Sequence, residues 1–392
     1  MPFMTSILKN LRVIETANFV SGPYVGQLLA DLGAEVIKIE NPNGGDPFRS
    51  LSPDGYSADF CSYNTNKKSV GVDLTKPEGR ALVEQLAKTA DVLIENFRPG
   101  VMDRLQLGWD RLHTANPKLV YCSVTGFGRE GPYQHRPAYD SVAGALSGFF
   151  SQLLDKERPQ IVGPALCDAV TGLYGAYAVL GGLLERGSTG AGKRIDVTMM
   201  EAMIAFLRQP IMNYIFTGQT PAPLDRPAKS MCFALACADA RCLAIHLSTP
   251  DKFWLALLQA IEQPDMNADP RYCSRELRSQ NYLSLNDEMQ PIFQRKTRGE
   301  WMAILDKFDV PFAPINDFSD LVNDPHAIQS GIFPVQPGVP SLGIACPIRF
   351  DGQRPTEVSP APRLGEHTSR VLGELGLPDA EQERLRRAGV IA

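Results

Sequence analysis

The stretch SGPYVGQLLADLGAEVIKIE (residues 21–40) predicts the fold, because it joins a helix pattern to a strand pattern through a glycine. After Pro23 the apolar residues recur at helical spacing: Val25, Leu28, Leu29 and Leu32. Gly33 stands where a helix often ends in a left-handed residue. AEVIKIE (34–40) then alternates apolar and polar residues, which is typical of a strand.

The same alternation of strand and helix continues on both sides of this stretch. Strand patterns occur at LRVIETANF (11–19), SVGVDL (69–74), DVLIENF (91–97) and LVYCSVTGFG (119–128). Helix patterns occur at TKPEGRALVEQLAKTA (75–90) and WDRLHTANP (109–117). Repeated units of about 30 residues predict a mostly parallel sheet with covering helices. Ligands of such sheets bind beyond the carboxyl ends of the strands, so the loops FVSGP, NPNGGDP, ENFRPG and TGFGREGP are the expected contact points.

The second half of the chain has a different character. Residues 140–210 are rich in Gly, Ala and Leu and predict long helices, and Pro, Gly and Thr at 217–230 predict a linker. A strand at 241–248 and a helix at 250–261 follow. After Asp324 and Pro325 the chain is rich in Pro and Gly to about residue 365, and it ends in a helical segment.

Composition restricts the class of protein. The 392 residues are 44% hydrophobic and 21% charged with a net charge of -5, which indicates a globular protein without a basic nucleic-acid surface. The eight cysteines and five histidines show no C-x-x-C or H-x-x-x-H spacing, so we expect buried thiols and no structural metal.

One segment, residues 161–184, is long enough to cross a bilayer and has Asp168 as its only charge. Its many glycines favour a buried, tightly packed helix instead. The amino-terminal residues contain no apolar stretch of signal-peptide length. We therefore expect a soluble, cytoplasmic protein that binds neither membrane nor nucleic acid.

Several motifs of common enzymes are missing from the sequence. There is no G-x-x-x-x-G-K-[ST] for a P-loop and no G-x-G-x-x-G after the first strand for a dinucleotide. GALSG (144–148) places Ser147 in the wrong register for a G-x-S-x-G nucleophile. ATP-dependent, NAD-dependent and α/β-hydrolase chemistry are therefore disfavoured.

Asp168 is the candidate nucleophile. A carboxylate near a helix N-terminus is stabilised by the helix dipole and by unpaired amides, which would keep it ionised in a dry pocket. Carboxylates serve as covalent nucleophiles in some enzymes. A satisfied buried carboxylate or a helix cap explains the same pattern, and the residues alone leave both alternatives open.

The other candidate functional residues also have simple structural explanations. Arg98 and Arg104 flank a strand-end glycine loop, where arginines can bind phosphate or simply face solvent. Lys67 and Lys68 are expected on the surface. A tyrosine such as Tyr139 is, taken alone, more often a core aromatic residue with its hydroxyl bonded than a catalytic group.

Together, these segments resemble the class III CoA transferase family, which includes formyl-CoA, carnitine and bile-acid CoA transferases and the α-methylacyl-CoA racemases. The resemblance runs from about residue 10 to 375. The segments that carry it are SGPYVGQLLADLGAEVIKIE, NTNKKSVGVDL, residues 90–109, TGFGREGPY, PAYDSVAGALSG, GPALCDAVTGLYGA, AVLGGLLERGSTGAGKRIDVTMMEAM and LGEHT.

The resemblance implies an α/β fold with a large Rossmann-like domain built from both chain ends and an inserted smaller α+β domain. The expected parts are 1–216 and 326–392 for the large domain, including long helices at 140–210, and 217–325 for the small domain with its linkers. The family also implies an interlocked homodimer with the active site between the two chains.

By position, Asp168 matches the family's catalytic aspartate. The residues implied to contact coenzyme A are Asn96, Phe97, Arg98, Arg104, Arg136 and Tyr139. Acyl-CoA and a small carboxylic acid would be the substrates, and no permanently bound cofactor is implied. Asp168 would form an anhydride with the acyl group and then a thioester with CoA.

The racemases of the family carry a histidine where Tyr139 stands. Proton transfer at an α-carbon needs a group that titrates near neutrality, whereas a tyrosine phenol titrates near pH ~10. Transferase is therefore favoured, with a racemase or isomerase as the alternative and a non-catalytic CoA-binding protein as a third hypothesis. Formyl-CoA-type enzymes have glutamine where Val20 stands and a glycine-rich loop at the entry to the small domain. Since neither is evident here, an organic or dicarboxylic acid such as succinate is expected rather than formate or oxalate.

Overall fold

The structure, a computed structural model, describes residues 6–248, 251–334 and 343–392. By its internal contacts the chain divides into two compact units. The large unit comprises Met1–Phe150, Lys156–Ile211 and Pro325–Ala392, and the small unit comprises Ser151–Asp155 and Met212–Asp324. The domain boundaries at residues 217 and 325, which the sequence predicts, stay a prediction.

The large unit is built on a six-stranded sheet in the order β3-β2-β1-β4-β5-β6, with every neighbouring pair parallel. Its strands are β1 Arg12–Glu15, β2 Glu35–Glu40, β3 Lys67–Gly71, β4 Val92–Glu95, β5 Val120–Thr125 and β6 Arg194–Thr198. This is the doubly wound order, in which the direction of winding reverses between β1 and β4. The parallel sheet predicted from the sequence is confirmed, although the first strand ends at Glu15 rather than continuing to residue 19.

The helices follow in chain order through both units. They are α1 Ser21–Asp31, α2 Ala58–Ser62, α3 Pro77–Lys88, α4 Val101–Arg104, α5 Trp109–Ala115, α6 Asp140–Leu146, α7 Leu166–Thr189, α8 Met199–Phe206, α9 Arg208–Thr217, α10 Asp225–Ser230, α11 Asp251–Ala260, α12 Arg275–Gln280, α13 Tyr282–Phe293, α14 Arg298–Lys307, α15 Phe318–Val322, α16 Pro325–Ser330, α17 Thr368–Glu374 and α18 Asp379–Arg387. Short 3₁₀ helices lie at Pro47–Leu51, Phe149–Gln152 and Pro264–Asn267.

Both faces of the large sheet are covered. On one face the strands pack with α3, α5, α17 and α18, and on the other with α1 and α7. The C-terminal segment is tied to β3, since the amide of Ala392 donates to Gly71 O over 3.1 Å. The two ends of the chain therefore share one core.

Burial of the sheet extends to charged side chains. Lys38 on β2 and Glu15 on β1 are 0% exposed and form an ion pair of 3.1 Å. Lys67 is buried as well, with its Nζ 2.8 Å from Glu15 Oε2. The expectation that Lys67 lies on the surface is wrong, because α1 and the neighbouring strands enclose it.

The long apolar helix α7 packs along α1, β5 and β6. By length and composition alone it could cross a membrane, and 44% of its most apolar 18-residue stretch is buried within the protein. The helix is packed as predicted except on one face, where Leu173, Tyr177 and Leu184 are 51%, 75% and 81% exposed. Packing against the sheet explains the apolar residues on the other face.

The small unit contains an antiparallel sheet in the order β7-β8-β9, formed by Cys232–Ala236, Cys242–His246 and Phe312–Pro314. Its core is formed with α11, α13 and α14 around Trp254 and Trp301. The predicted linker at 217–230 includes α10. Pro250, where the next helix was expected to begin, lies outside the described residues, as does part of the Pro- and Gly-rich stretch.

Candidate active site

A cavity of about 260 Å³ lies at the carboxyl ends of β1, β4 and β5. The sequence-predicted residues that line it are Asp168, Asn96, Phe97, Arg98, Arg136 and Tyr139. They come from three separate segments of the chain, residues 96–98, 136–139 and 168, which the fold brings to one edge of the parallel sheet. Arg104, exposed on α4, does not line this cavity.

Asp168 is the third residue of α7 and is partly buried in this cavity. Its carboxyl group accepts a hydrogen bond from the side chain of Ser21, at the start of α1. Burial, and then the nearby carboxylate of Asp140, raise the pKa of Asp168 from 3.8 to about 7. The environment therefore disfavours the ionised form, contrary to the expectation that the helix N-terminus would keep it ionised.

The side chain of Asp140 explains why the N-terminus of α7 does little to keep Asp168 ionised. Its Oδ1 accepts the backbone amide of Asp168 over 3.1 Å, so an unpaired amide of α7 is already satisfied. Ala165, the N-cap residue of α7, has no side-chain oxygen that could do so. Asp140 was not predicted as a site residue, although it directly follows Tyr139 in the sequence.

The neighbouring thiol does not compete as a nucleophile. Cys167 is 1% exposed, and its Sγ lies 3.5 Å from the carbonyl oxygen of Met199. Burial raises the pKa of Cys167 to about 12, so the thiolate is scarce near neutral pH. Asp168 therefore remains the candidate nucleophile at this position.

Glu95, the last residue of β4, supports the loop that follows this strand. One carboxylate oxygen of Glu95 accepts the amide of Phe97 over 2.8 Å. Burial raises the pKa of Glu95 to about 7, despite hydrogen bonds from Ser123 and Phe97. Glu95 could not be predicted as a site residue, because a glutamate at the end of a strand has no distinguishing local pattern.

The mouth of the cavity is aromatic and cationic. Tyr139 is 65% exposed and meets Phe19 edge to face, with ring centroids 6.2 Å apart. Arg136 lies over the ring of Tyr133 at 4.2 Å. Arg98 and Arg136 both line the cavity, so two guanidinium groups are available to pair with carboxylate or phosphate oxygens.

A second cavity of about 330 Å³ lies along the same sheet edge, beyond β1, β2 and β3. It shares Asn18 and Phe97 with the first cavity. Its other lining residues are Thr16, Ile39, Glu40, Asn41, Gly45, Pro47, Val72, Asp73, Leu74, Thr75 and Leu105. The two cavities are therefore neighbours along the carboxyl edge of the sheet.

A doubly wound α/β scaffold with a partly buried carboxylate in a cavity at its carboxyl edge is typical of an enzyme. The sequence matches the CoA-transferase family III over residues 8–368. The chain belongs to this family and is an enzyme, and the resemblance seen in the sequence is confirmed.

Curated relatives carry names of CoA transfer between acids. The chain is 31% identical to a succinyl-CoA:glutarate CoA-transferase of Mus musculus, with 98% of this chain and 90% of the relative aligned. It is 32% identical to a succinate–glutarate CoA-transferase of Agrobacterium fabrum, over 96% of this chain and 97% of the relative.

Solved structures show the same fold. A CAIB/BAIF family protein from Brucella suis superposes with a TM-score of 0.85 at 34% identity, covering 95% of this chain and 100% of that chain. A hypothetical protein, Rv3272, from Mycobacterium tuberculosis superposes with a TM-score of 0.81 at 33% identity, over 93% of this chain and 98% of that one.

Proposed function

We propose that this enzyme transfers CoA from an acyl-CoA to a free carboxylic acid, with Asp168 as the covalent carrier. The observation that carries the proposal is the placement of Asp168, in a cavity at the carboxyl edge of the sheet with its pKa raised to about 7. A poorly solvated carboxylate of raised basicity is a better nucleophile than a solvated one.

In the first half-reaction a carboxylate oxygen of Asp168 attacks the thioester carbon, the C–S bond breaks, and CoA leaves as a thiolate. The thiolate then attacks Cγ of Asp168 in the mixed anhydride and releases the donor acid as a carboxylate. An aspartyl-CoA thioester remains. The acceptor carboxylate attacks the same Cγ and expels CoA thiolate, which finally attacks the acceptor's carbonyl carbon and regenerates Asp168.

Electrostatics favours these covalent states. Both the anhydride and the thioester of Asp168 are uncharged, so each removes a negative charge from beside Asp140. The charge moves instead to the CoA sulfur or to the released acid. No step requires a metal or a redox cofactor.

The two adjacent cavities support a CoA molecule that lies along the sheet edge, past the loop formed by residues 96–98. Asn96, Phe97, Arg98, Arg136 and Tyr139 remain the proposed contacts in the first cavity. Arg104 stays a proposed contact for a part of CoA that extends outside it. The relatives' names, which pair succinate with glutarate, support a dicarboxylic acid as one substrate.

We further propose that two copies form a homodimer. Large apolar side chains are exposed on the large unit, and a second copy would remove them from water: Val142, Leu146, Leu173, Tyr177, Leu184 and Phe206. Light scattering should give the mass of a dimer, and Tyr177→Lys should shift the protein toward monomer.

All eight cysteines are free thiols, which supports a reducing cytoplasm as the location.

The decisive experiment traps the intermediate. After incubation with succinyl-CoA and quenching with hydroxylamine, peptide mass spectrometry should find the hydroxamate at Asp168 alone. Asp110→Asn is the matched control, because Asp110 is an exposed carboxylate in the first turn of α5, and this variant should be labelled as before. Label on another residue, or transfer by Asp168→Ala at the original rate, would contradict the proposal. Solvent deuterium at the α-carbon without added acid would instead indicate a racemase.

A further inference from the structure

Phe19 adopts a backbone conformation that is unfavourable for a residue with a side chain. Its φ is 64°, in the left-handed region where glycine is relaxed and a Cβ is crowded by the following carbonyl. A phenylalanine at such a position suggests that its ring, rather than its backbone, is required.

Side chains from the neighbouring strand-end loops hold the backbone around Phe19. The amide of Asn18 donates to Asn96 Oδ1 over 2.9 Å, and Asn96 Nδ2 donates back to Asn18 O over 2.7 Å. The amide of Phe19 donates to Asp46 Oδ1 over 3.4 Å.

Buried charged residues hold the groups that make these contacts. Lys38 donates to the carbonyl oxygen of Ala17 over 2.7 Å, and its Nζ lies 3.0 Å from Asp46 Oδ2. Lys38 and Asp46 are 0% exposed, and Lys38 also pairs with the buried Glu15. A shift of the loop would leave buried charges and amides without partners, so the network imposes the strained conformation.

The ring held in this way forms part of the cavity wall. Phe19 lines the same cavity as Asp168. It meets Phe48 edge to face at 5.6 Å and Tyr139 at 6.2 Å, and it is 38% exposed. The side-chain amide of Asn96 uses one N–H group and one lone pair of its oxygen on Asn18, which fixes its orientation.

We propose that Phe19 is a specificity-determining residue that limits the bulk of the acid joined to Asp168, and that Asn96 is the positioning residue that holds it there. This inference rests on the proposed function, because it concerns the acid that forms the anhydride. A wall of fixed position excludes bulky acids more sharply than a mobile loop would.

The test compares two acceptors that differ only in bulk, glutarate and 3,3-dimethylglutarate, with succinyl-CoA as donor. Phe19→Gly, which also relieves the left-handed strain, should raise the ratio of kcat/KM for the bulky acid over glutarate by about tenfold. Phe19→Leu should shift the ratio in the same direction by less, and it decides the matter if the glycine variant does not fold. Gln106→Gly is the control: Gln106 has a φ of 59°, is exposed and lines neither cavity, so the ratio should not change.

An unchanged ratio in both Phe19 variants that still transfer CoA overturns the role of Phe19. A wild-type protein that transfers CoA to no acid overturns the proposed function instead. Asn96→Ala should shift the ratio in the same direction as Phe19→Gly, with no further shift in the double variant. If Asn96→Ala raises the KM for succinyl-CoA equally with both acids and leaves the ratio unchanged, Asn96 contacts CoA and does not position Phe19.

Discussion

Replacing Asp168 with asparagine should stabilise the protein while abolishing transfer. Burial and the carboxylate of Asp140 raise the pKa of Asp168 from 3.8 to about 7, so the folded protein binds the proton more tightly than the unfolded chain does. The stabilisation by this proton is complete below the unfolded pKa and is lost as the pH rises toward the folded pKa. Above that pH the ionised carboxylate is a net cost to the folded state.

The size of the effect follows from the displacement of the pKa. A change from 3.8 to about 7 corresponds to about 4 kcal/mol, and solvent that enters the cavity reduces it to about 2–4 kcal/mol. Asparagine keeps the shape and an oxygen that can accept from Ser21, but it carries no charge. The variant should therefore exceed wild type in free energy of unfolding by about 1 kcal/mol near pH ~5 and by about 2–4 kcal/mol near pH ~8.

Urea denaturation followed by circular dichroism at the two pH values measures this difference. Asp110→Asn, at an exposed carboxylate in the first turn of α5, should stay within about 0.5 kcal/mol of wild type at both. Transfer of CoA by Asp168→Asn should fall by at least about a thousandfold. An asparagine variant that is less stable than wild type near pH ~8 would refute the reasoning, because the ionised carboxylate would then be stabilised by its surroundings.

Three further predictions concern the same unit. In wild type, kcat/KM should rise with pH through about 7 as Asp168 loses its proton, and Asp140→Asn should move the midpoint of this pH–rate profile lower because it removes the nearby negative charge. Lys67→Met should cost about 3 kcal/mol in urea denaturation, because Lys67 lies 2.8 Å from the buried carboxylate of Glu15 and its loss leaves that charge less compensated. Gly22→Ala should lower the thermal midpoint and the activity together, since an added Cβ would lie 2.4 Å from that of Ala17, at the base of the cavity loop; an unchanged melting curve would contradict this packing.

Much of the fold could be predicted because its signals are local. The helix after Pro23 and the strands of the first half follow from the spacing of apolar residues, and the repeated units imply parallel pairing. The predicted ends of helices and strands were less accurate, as the first strand shows. The amide of Thr16 still donates to Ile94 O, but the pairing ends there, because Ala17 O accepts from the side chain of Lys38 and the amide of Asn18 donates to the side chain of Asn96.

The candidate site was predicted in part. The loop that carries Asn96 and Arg98 could be named because the carboxyl edge of a parallel sheet collects ligands, whereas Asn96 itself was implied by the family resemblance. Ser21 and Glu95 were missed, since a serine that opens a helix and a glutamate that ends a strand are common. Their roles depend on a hydrogen bond to Asp168 and on one to the amide of Phe97.

The sequence by itself determined the order of strands and helices, the family and the position of Asp168, because periodicity and motifs are properties of neighbouring residues. Only the tertiary structure decided the state of that carboxylate. Its backbone amide bonds to Asp140, 28 residues earlier in the chain, and its side chain bonds to Ser21 on another helix. Desolvation and Coulomb interactions depend on which groups pack together in space, so the raised pKa of Asp168 is a property of the folded chain.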